Sequence, residues 1–306
     1  MSDSPETLQT GGGTTVPPPV VLLPDPALMF DRRSRRLAAW ADDHPMGEYL
    51  AFLSHLAAAQ HRAVKALGDV PCPAEAIIAR RRAAGMPLLP REASYLTNDW
   101  RLALAAILDA FAAQPLPDAA RSVIEQLAAM PAPEQDALAA ACLTGQAAPD
   151  DLARGLFVLA ALQVFWAKAL PGLDPATIQP LDPPGLCPVC GSAPVAGLTM
   201  AAEPLEGVRY LACGLCGCHW HYPRAQCSSC GSDKDIAYLA FEGPAGHVRG
   251  ETCSDCRTYL KLFDEAKSPG AEPFADDLAT VGLDLRLAEE NWHRAVANPF
   301  LQAGGG

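Results

Sequence analysis

Eight cysteines stand as four Cys-x-x-Cys pairs, and the last two pairs repeat the first two at an offset of 40 residues. Cys187/Cys190 and Cys213/Cys216 are separated by 22 residues, as are Cys227/Cys230 and Cys253/Cys256. The first pair of each unit is followed by the same dipeptide, Gly191-Ser192 and Gly231-Ser232. Such regular self-similarity marks a duplicated module. Two cysteines at this spacing fit one tight turn with both sulfurs facing a common hollow, and a second turn set opposite completes a tetrahedral donor set. Four thiolates suit zinc or iron by softness and geometry, whereas calcium and magnesium demand oxygen ligands. The 22-residue gap leaves room for a short hairpin between the two turns. Glycine after the second cysteine admits a positive φ. Gly191, Gly217 and Gly231 fill that position in three turns, and Arg257 replaces it in the fourth.

Disulfides are the competing explanation, since eight cysteines in a secreted domain could pair among themselves. Two features oppose it. The start Met1-Ser-Asp-Ser-Pro-Glu lacks the basic end and apolar stretch of a secretory leader. Cys72, Cys142 and Cys218 raise the total to an odd 11, which suits a reducing compartment. Metal ligation within each unit is therefore expected: Cys187, Cys190, Cys213 and Cys216 at one site, and Cys227, Cys230, Cys253 and Cys256 at the other. A crossed arrangement would discard the repeat. Cys218, His219 and His221 lie close by. On a strand the two histidines share one face and Cys218, Trp220 and Tyr222 the other, so a wet face and a packed face is the favoured reading over a reserve of ligands.

At 306 residues, half of them hydrophobic, the chain can bury a large core and form more than one domain. A formal charge of −12 argues against a partner held mainly through phosphates. The run Asp31-Arg32-Arg33-Ser34-Arg35-Arg36-Leu37 superficially resembles a twin-arginine export signal, but Asp42 and Asp43 interrupt the apolar segment that should follow. The most apolar stretch, residues 155–170, contains Gln163 and Lys168 and is short for a membrane span, so a buried core helix is expected.

Residues 1–25 are rich in Gly, Thr and Pro and predict a disordered tail. Residues 26–172 read as an all-helical domain, with helices near 26–41, 46–67, 74–84, 94–113, 117–129, 133–143 and 149–170, each bracketed by Pro, Gly or a capping residue. A Pro-rich linker spans 173–184. The metal modules occupy 185–225 and 226–268, with short strands at 210–212, 219–222 and 236–241. Residues 269–306 predict one C-terminal helix over about 274–297, with Leu278, Val281, Leu285, Trp292 and Val296 as its apolar stripe and Asp276 and Asp277 at its positive end. The expected class is α+β: a helical domain, two tandem rubredoxin-like or zinc-ribbon-like modules, and a terminal helix.

Several of these segments resemble the formate dehydrogenase accessory protein family (FdhE-type). They are Cys187-Pro-Val-Cys-Gly-Ser, Arg209-Tyr-Leu-x-Cys-x-Leu-Cys, Trp220-His221, Arg224-x-x-Cys-x-x-Cys and Glu251-x-Cys-x-x-Cys-x-Thr-Tyr-Leu-Lys261. Ala275-Asp-Asp-Leu-Ala, Leu283-Asp-x-Arg, Asn298-Pro-Phe-Leu301 and, far upstream, Pro45-Met-Gly-x-Tyr-Leu50 extend the likeness across residues 20–301. The resemblance implies a cytoplasmic assembly or maturation factor that binds the dehydrogenase catalytic subunit before export and takes no part in its catalytic cycle. It also implies two iron ions, each held by four cysteines, with zinc as the alternative, and it carries all eight paired cysteines over as ligands. Neither nucleic acid nor membrane insertion is expected; a homodimer is left open.

Read without that family, three classes compete. A protein-binding assembly factor fits an acidic chain with metal-stapled modules, in which Tyr210, Trp220 and Tyr222 are either contact residues or packing over the sites. A rubredoxin-like one-electron carrier would use the same thiolates, although no glycine-rich nucleotide loop or nucleophile elbow accompanies them. His55 and His61, on an expected helix with Glu48, are six residues apart and so do not share one face, which favours ordinary partly exposed histidines over acid–base work. A zinc-ribbon nucleic-acid binder is the weakest, because the basic residues cluster only at Arg32–Arg36 and Arg80–Arg82, in expected helices.

Overall fold

Asp25 accepts a hydrogen bond from the Ala27 N–H at 2.8 Å and Pro26 takes the first helical position, so α1 (Pro26–Ala41) begins where acceptor and fixed φ coincide. The structure, a computed structural model, describes residues 17–114, 116–240 and 248–301. Ahead of α1, β1 (Val21–Leu22) pairs with residues 219–220 far downstream. The expected tail is therefore corrected over residues 17–25: Pro19 and Val20 offer carbonyls to Tyr210 and His221. Residues 1–16 lie outside the described residues.

Six more helices follow: α2 (Gly47–Ala66), α3 (Glu75–Ala83), α4 (Asp99–Ala112), α5 (Asp118–Ala129), α6 (Ala132–Thr144) and α7 (Leu152–Ala169). The helix expected over 94–113 is split. A 3-10 turn covers Ala93–Tyr95, and α4 starts only at Asp99, where Asn98 and Thr97 turn side-chain oxygens to the first turn. Helix α6 ends on Gly145 at φ 71°, as a left-handed terminator should. Helix α7 is apolar nearly all round and is enclosed by its neighbours, the mark of a central core helix. With its flanking turns, Pro149–Gly172 is long and apolar enough to cross a membrane, yet 78% of that window is buried inside the protein. Phe52, Phe111 and Phe157 meet edge to face around it.

Beyond the linker each metal module is a three-stranded antiparallel meander. The first comprises β2 (Pro194–Thr199), β3 (Arg209–Cys213) and β4 (His219–His221); the second comprises β5 (Ile236–Leu239), β6 (Val248–Cys253) and β7 (Thr258–Asp264). The strand order is β1-β4-β3-β2-β7-β6-β5, so one sheet runs through both modules. The joint is parallel, with Gly197 opposite Leu262. A Cβ on Gly197 would come within 2.9 Å of Leu262 Cδ1, which explains glycine at this seam. Arg209 and Glu251, one from each module, form a buried ion pair at 2.5 Å.

The single C-terminal helix is also corrected. Helix α8 (Pro273–Ala279) stops at Thr280, α9 (Val281–Glu289) follows, and β8 (His293–Arg294) lies parallel to β7. The break serves Lys261: its ammonium donates to the Asp277 carbonyl at 2.9 Å and to the Thr280 carbonyl at 3.0 Å. Carbonyls at a helix end attract a cation for the same reason they repel a further turn. After the break Leu283 and Leu287 face the core, while Leu285 of the expected stripe is 65% exposed. Asp276 lies in the first turn of α8, as expected, and both it and Asp277 are fully buried ion-pair partners of Arg36, Lys261 and Arg294.

Candidate metal centres

Each module folds its two Cys-x-x-Cys turns against one another. Cys187, Cys190, Cys213 and Cys216 bring four sulfurs within 4.8 Å of each other, and Cys227, Cys230, Cys253 and Cys256 do the same. Across the first group Cys187–Cys216 and Cys190–Cys213 measure 3.7 and 3.4 Å; across the second Cys227–Cys256 and Cys230–Cys253 measure 3.6 and 3.7 Å. A tetrahedron with metal–sulfur bonds of ~2.3 Å has edges of roughly 3.8 Å. A disulfide would need about 2.05 Å. The described cysteines are all free thiols, and the spacing fits one ion per group.

The backbone explains why the repeated dipeptide matters. In the first turn of each module the cysteine N–H donates to the serine carbonyl, Cys187 to Ser192 at 2.9 Å and Cys227 to Ser232 at 2.8 Å. The residue after the second cysteine then takes the left-handed region: Gly191, Gly217 and Gly231 at φ 75–78° and Arg257 at 58°. Arg257 bears a Cβ in a region that disfavours one. Its guanidinium sits 4.0 Å from the Trp292 ring centroid and donates to the Glu290 and Asn291 carbonyls, contacts that offset the strain. Backbone N–H groups also point at sulfur, from Leu215 and Cys216 to Cys213 and from Ser229 to Cys227, all at 3.4 Å. Burial pushes the Cys187, Cys190 and Cys216 thiols well above their ordinary value, whereas at Cys213 burial is outweighed by hydrogen bonds from those three sulfurs, which lower it; a bound cation would favour the thiolate form of all four.

The two centres differ in their surroundings. All four sulfur residues of the first are buried, whereas Cys230 of the second is exposed and Cys256 partly so. Helical-domain residues close over the first. Leu88 and Leu89 donate backbone hydrogen bonds to the Pro188 and Val189 carbonyls at 3.3 and 2.7 Å. Gln163, buried in α7, donates to the Gly214 carbonyl at 2.7 Å. A single sequence could not reveal these ties, because their partners are 51 to about 100 residues away along the chain and carry no motif. Both centres lie at the same end of the sheet: Cys213 ends β3 opposite Pro194, Cys253 ends β6 opposite Thr258, and β2 and β7 are parallel. Three strand spacings separate them, roughly 14 Å along the sheet.

Cys218 is buried beside the first centre, close enough to interact with the Cys187 and Cys216 sulfurs, but it stands outside the four-sulfur group. Among the described residues neither His219 nor His221 joins a group. Both are half-buried on one face of β4, while Trp220 and Tyr222 pack on the other. Burial lowers the pKa of His219. Tyr210, Trp220 and Tyr222 are packing, not contact surface: Trp220 Nε1 donates to the Pro184 carbonyl and the Tyr222 hydroxyl to the Cys227 carbonyl. The basic clusters are largely internal ties. Arg33 pairs with Glu272, Arg36 with Asp276, Arg81 with the Pro87 carbonyl and Arg82 with Thr177. Arg35 pairs with Asp31, and Arg32, Arg33, Arg35 and Arg36 all border a cavity of about 680 Å³ between α1, the β2–β3 sheet face and the start of α8.

The glycines provide a direct comparison. A Cβ on Gly217 would fall 2.2 Å from Met29 Sδ, whereas one on Gly231 would meet nothing within 4 Å. Gly231→Ala should lose about 1–2 kcal/mol from the left-handed backbone alone. Gly217→Ala should lose about 2–5 kcal/mol, because overpacking against α1 adds to the same strain. Urea midpoints of the two variants check this order.

The three domain models of the FdhE family match in succession: the N-terminal model over residues 18–183, the central domain over 186–224 and the C-terminal domain over 225–301. A protein named FdhE homolog from Edwardsiella ictaluri is 37% identical over 289 residues, covering 93% of this chain and 92% of the relative. The FdhE homolog of Pseudomonas aeruginosa is 38% identical over 287 residues, covering 90% and 91%. A crystal structure of the FdhE protein from Pseudomonas aeruginosa superposes with a TM-score of 0.82 at 36% identity, covering 94% of this chain and all of that one.

Proposed function

The chain belongs to the FdhE family, and from that premise we propose that it is an accessory factor for formate dehydrogenase, binding the enzyme's catalytic subunit in the cytoplasm before export. The observation that carries this is the match of all three family domains in order, together with two four-sulfur groups of metal-binding geometry. Cys187, Cys190, Cys213 and Cys216 hold one ion, and Cys227, Cys230, Cys253 and Cys256 hold a second, iron in each case. Each ion cross-links two turns; iron would also supply one-electron chemistry. The chain's own contribution is positional: backbone N–H groups orient the sulfurs, the helical domain closes over the first site through Leu88, Leu89 and Gln163, and one sheet presents both sites at the same end. The role is assembly of another protein, not turnover of a substrate.

Affinity capture from a lysate that makes formate dehydrogenase tests the partner. The tagged chain should retain the catalytic subunit and leave mature, exported enzyme behind. Metal analysis of protein isolated without added metal should find two ions per chain with a red ferric-thiolate spectrum. Colourless protein holding two zinc ions would remove iron and leave the assembly role standing. Failure to retain the subunit would remove that role.

A further inference from the structure

We infer that the two centres are unequal in exchange: the Cys227/Cys230/Cys253/Cys256 centre takes up and gives up its ion in the folded protein, opening at Cys230, while the first centre is fixed. This rests on both groups holding metal, as proposed above.

The argument starts from what would have to move. For Cys187, Cys190, Cys213 or Cys216 to swing away, its turn must part from the helical domain. The Pro188 and Val189 carbonyls are bonded to Leu88 and Leu89, the Gly214 carbonyl to Gln163, and Gly217 abuts Met29. Gly191 abuts Pro87, whose Cγ would be 2.8 Å from an added Cβ. Opening this site therefore means separating two packed bodies, an event near global unfolding in cost.

Around the second centre the sulfurs are held unevenly. The Cys227 carbonyl accepts from the Tyr222 hydroxyl at 2.9 Å, Cys253 ends a paired strand, and Cys256 Sγ lies 3.0 Å from Thr258 Oγ1. Cys230 is exposed, and an added Cβ on the following Gly231 would touch nothing. Its departure disturbs one exposed turn. Cys230 leaves as its sulfur is replaced by an incoming soft donor, such as a thiolate, and the freed thiolate takes a proton from water. One donor substitutes for another and no electron moves. The ligand class is thus an external thiol, with its widest access at exposed Cys230 and less at partly exposed Cys256.

The test uses full-length protein as isolated with its metal. The protein is exposed to a thiol chelator, dimercaptosuccinate; at intervals samples are rapidly desalted to remove the chelator and pulsed with iodoacetamide to trap freed sulfurs. Metal per chain is followed by elemental mass spectrometry and labelled cysteines by peptide mass spectrometry, with half-buried Cys72 and Cys142 as internal references. One ion should leave at least about 100-fold faster than the other, with Cys230 the first of the eight ligands labelled. Cys187, Cys190, Cys213 and Cys216 should stay unlabelled until the chain unfolds. Loss of both ions at one rate, or a first label among those four, overturns the inference. Protein that holds no metal as isolated is a separate result: it overturns the metal reading beneath, and this inference with it.

Discussion

Cys213→Ser should cost the protein one metal ion and its folded state together. A structural four-thiolate site contributes on the order of 10 kcal/mol to folding, and a domain's total stability is about 5–15 kcal/mol. A serine hydroxyl cannot replace the thiolate at neutral pH, so three buried thiols would face an incomplete site. The loss would not stay local. Gln163 of the central helix hydrogen-bonds the carbonyl of Gly214, next to the substituted residue, and Met29 of α1 packs on the same turn at Gly217. Insoluble or molten protein is the expected product, read by circular dichroism and gel filtration. Cys230→Ser, by contrast, should also lose one ion yet keep a native spectrum, because Cys230 is exposed and a Cβ on the following Gly231 would meet nothing. If the two variants lose stability equally, the helical domain does not depend on the first centre.

The second large effect is expected far from any sulfur. Asp277 is fully buried and receives Lys261 at 3.3 Å, Asn298 at 3.1 Å and the Arg294 guanidinium. Asp284 adds a second carboxylate, 2.5 Å from Lys261 and 3.1 Å from Arg294. Asp277→Ala leaves two cations sharing one remaining carboxylate in a dry setting. Removing one partner from such a cluster costs about 3–5 kcal/mol, a fall of roughly 10 °C in Tm for a chain of this size. Asp277→Asn should fall between, since it keeps one acceptor oxygen for the two cations but loses the charge and turns an NH2 toward Asn298. Differential scanning calorimetry measures both. A wild-type Tm for Asp277→Ala would show that water reaches the cluster and screens it.

These expectations mark where the sequence was readable. The four cysteine pairs announced both groups because ligation demands a short, regular spacing; of the six strands only β3, β4 and β5 were expected, and β2, β6 and β7 were missed although β5, β6 and β7 sit 40 residues beyond β2, β3 and β4. The helical domain was readable from its caps, Asp25-Pro26 and Gly145 among them. The C-terminal segment was misread for a physical reason. Its periodicity allowed one helix, but Lys261 takes the carbonyls of Asp277 and Thr280, a tertiary demand that local pattern does not carry. The same holds for Val21–Leu22, short and set among prolines, which becomes a strand only because β4 has an edge to cover. Burial of Tyr210, Trp220 and Tyr222 was equally undecidable from composition. An aromatic on a three-residue strand can face either way until its sheet acquires a neighbour.

The parallel joint between β2 and β7 sets a limit on dissection. The repeat invites a cut near residue 225, as though two finished beads hung on a thread. Severing there would strip β2 and β7 of each other's hydrogen bonds and leave raw strand margins on both fragments, the kind that recruit strangers and precipitate. The buried Arg209–Glu251 pair would be lost with that joint, so the two repeats are halves of one sheet and not separable beads.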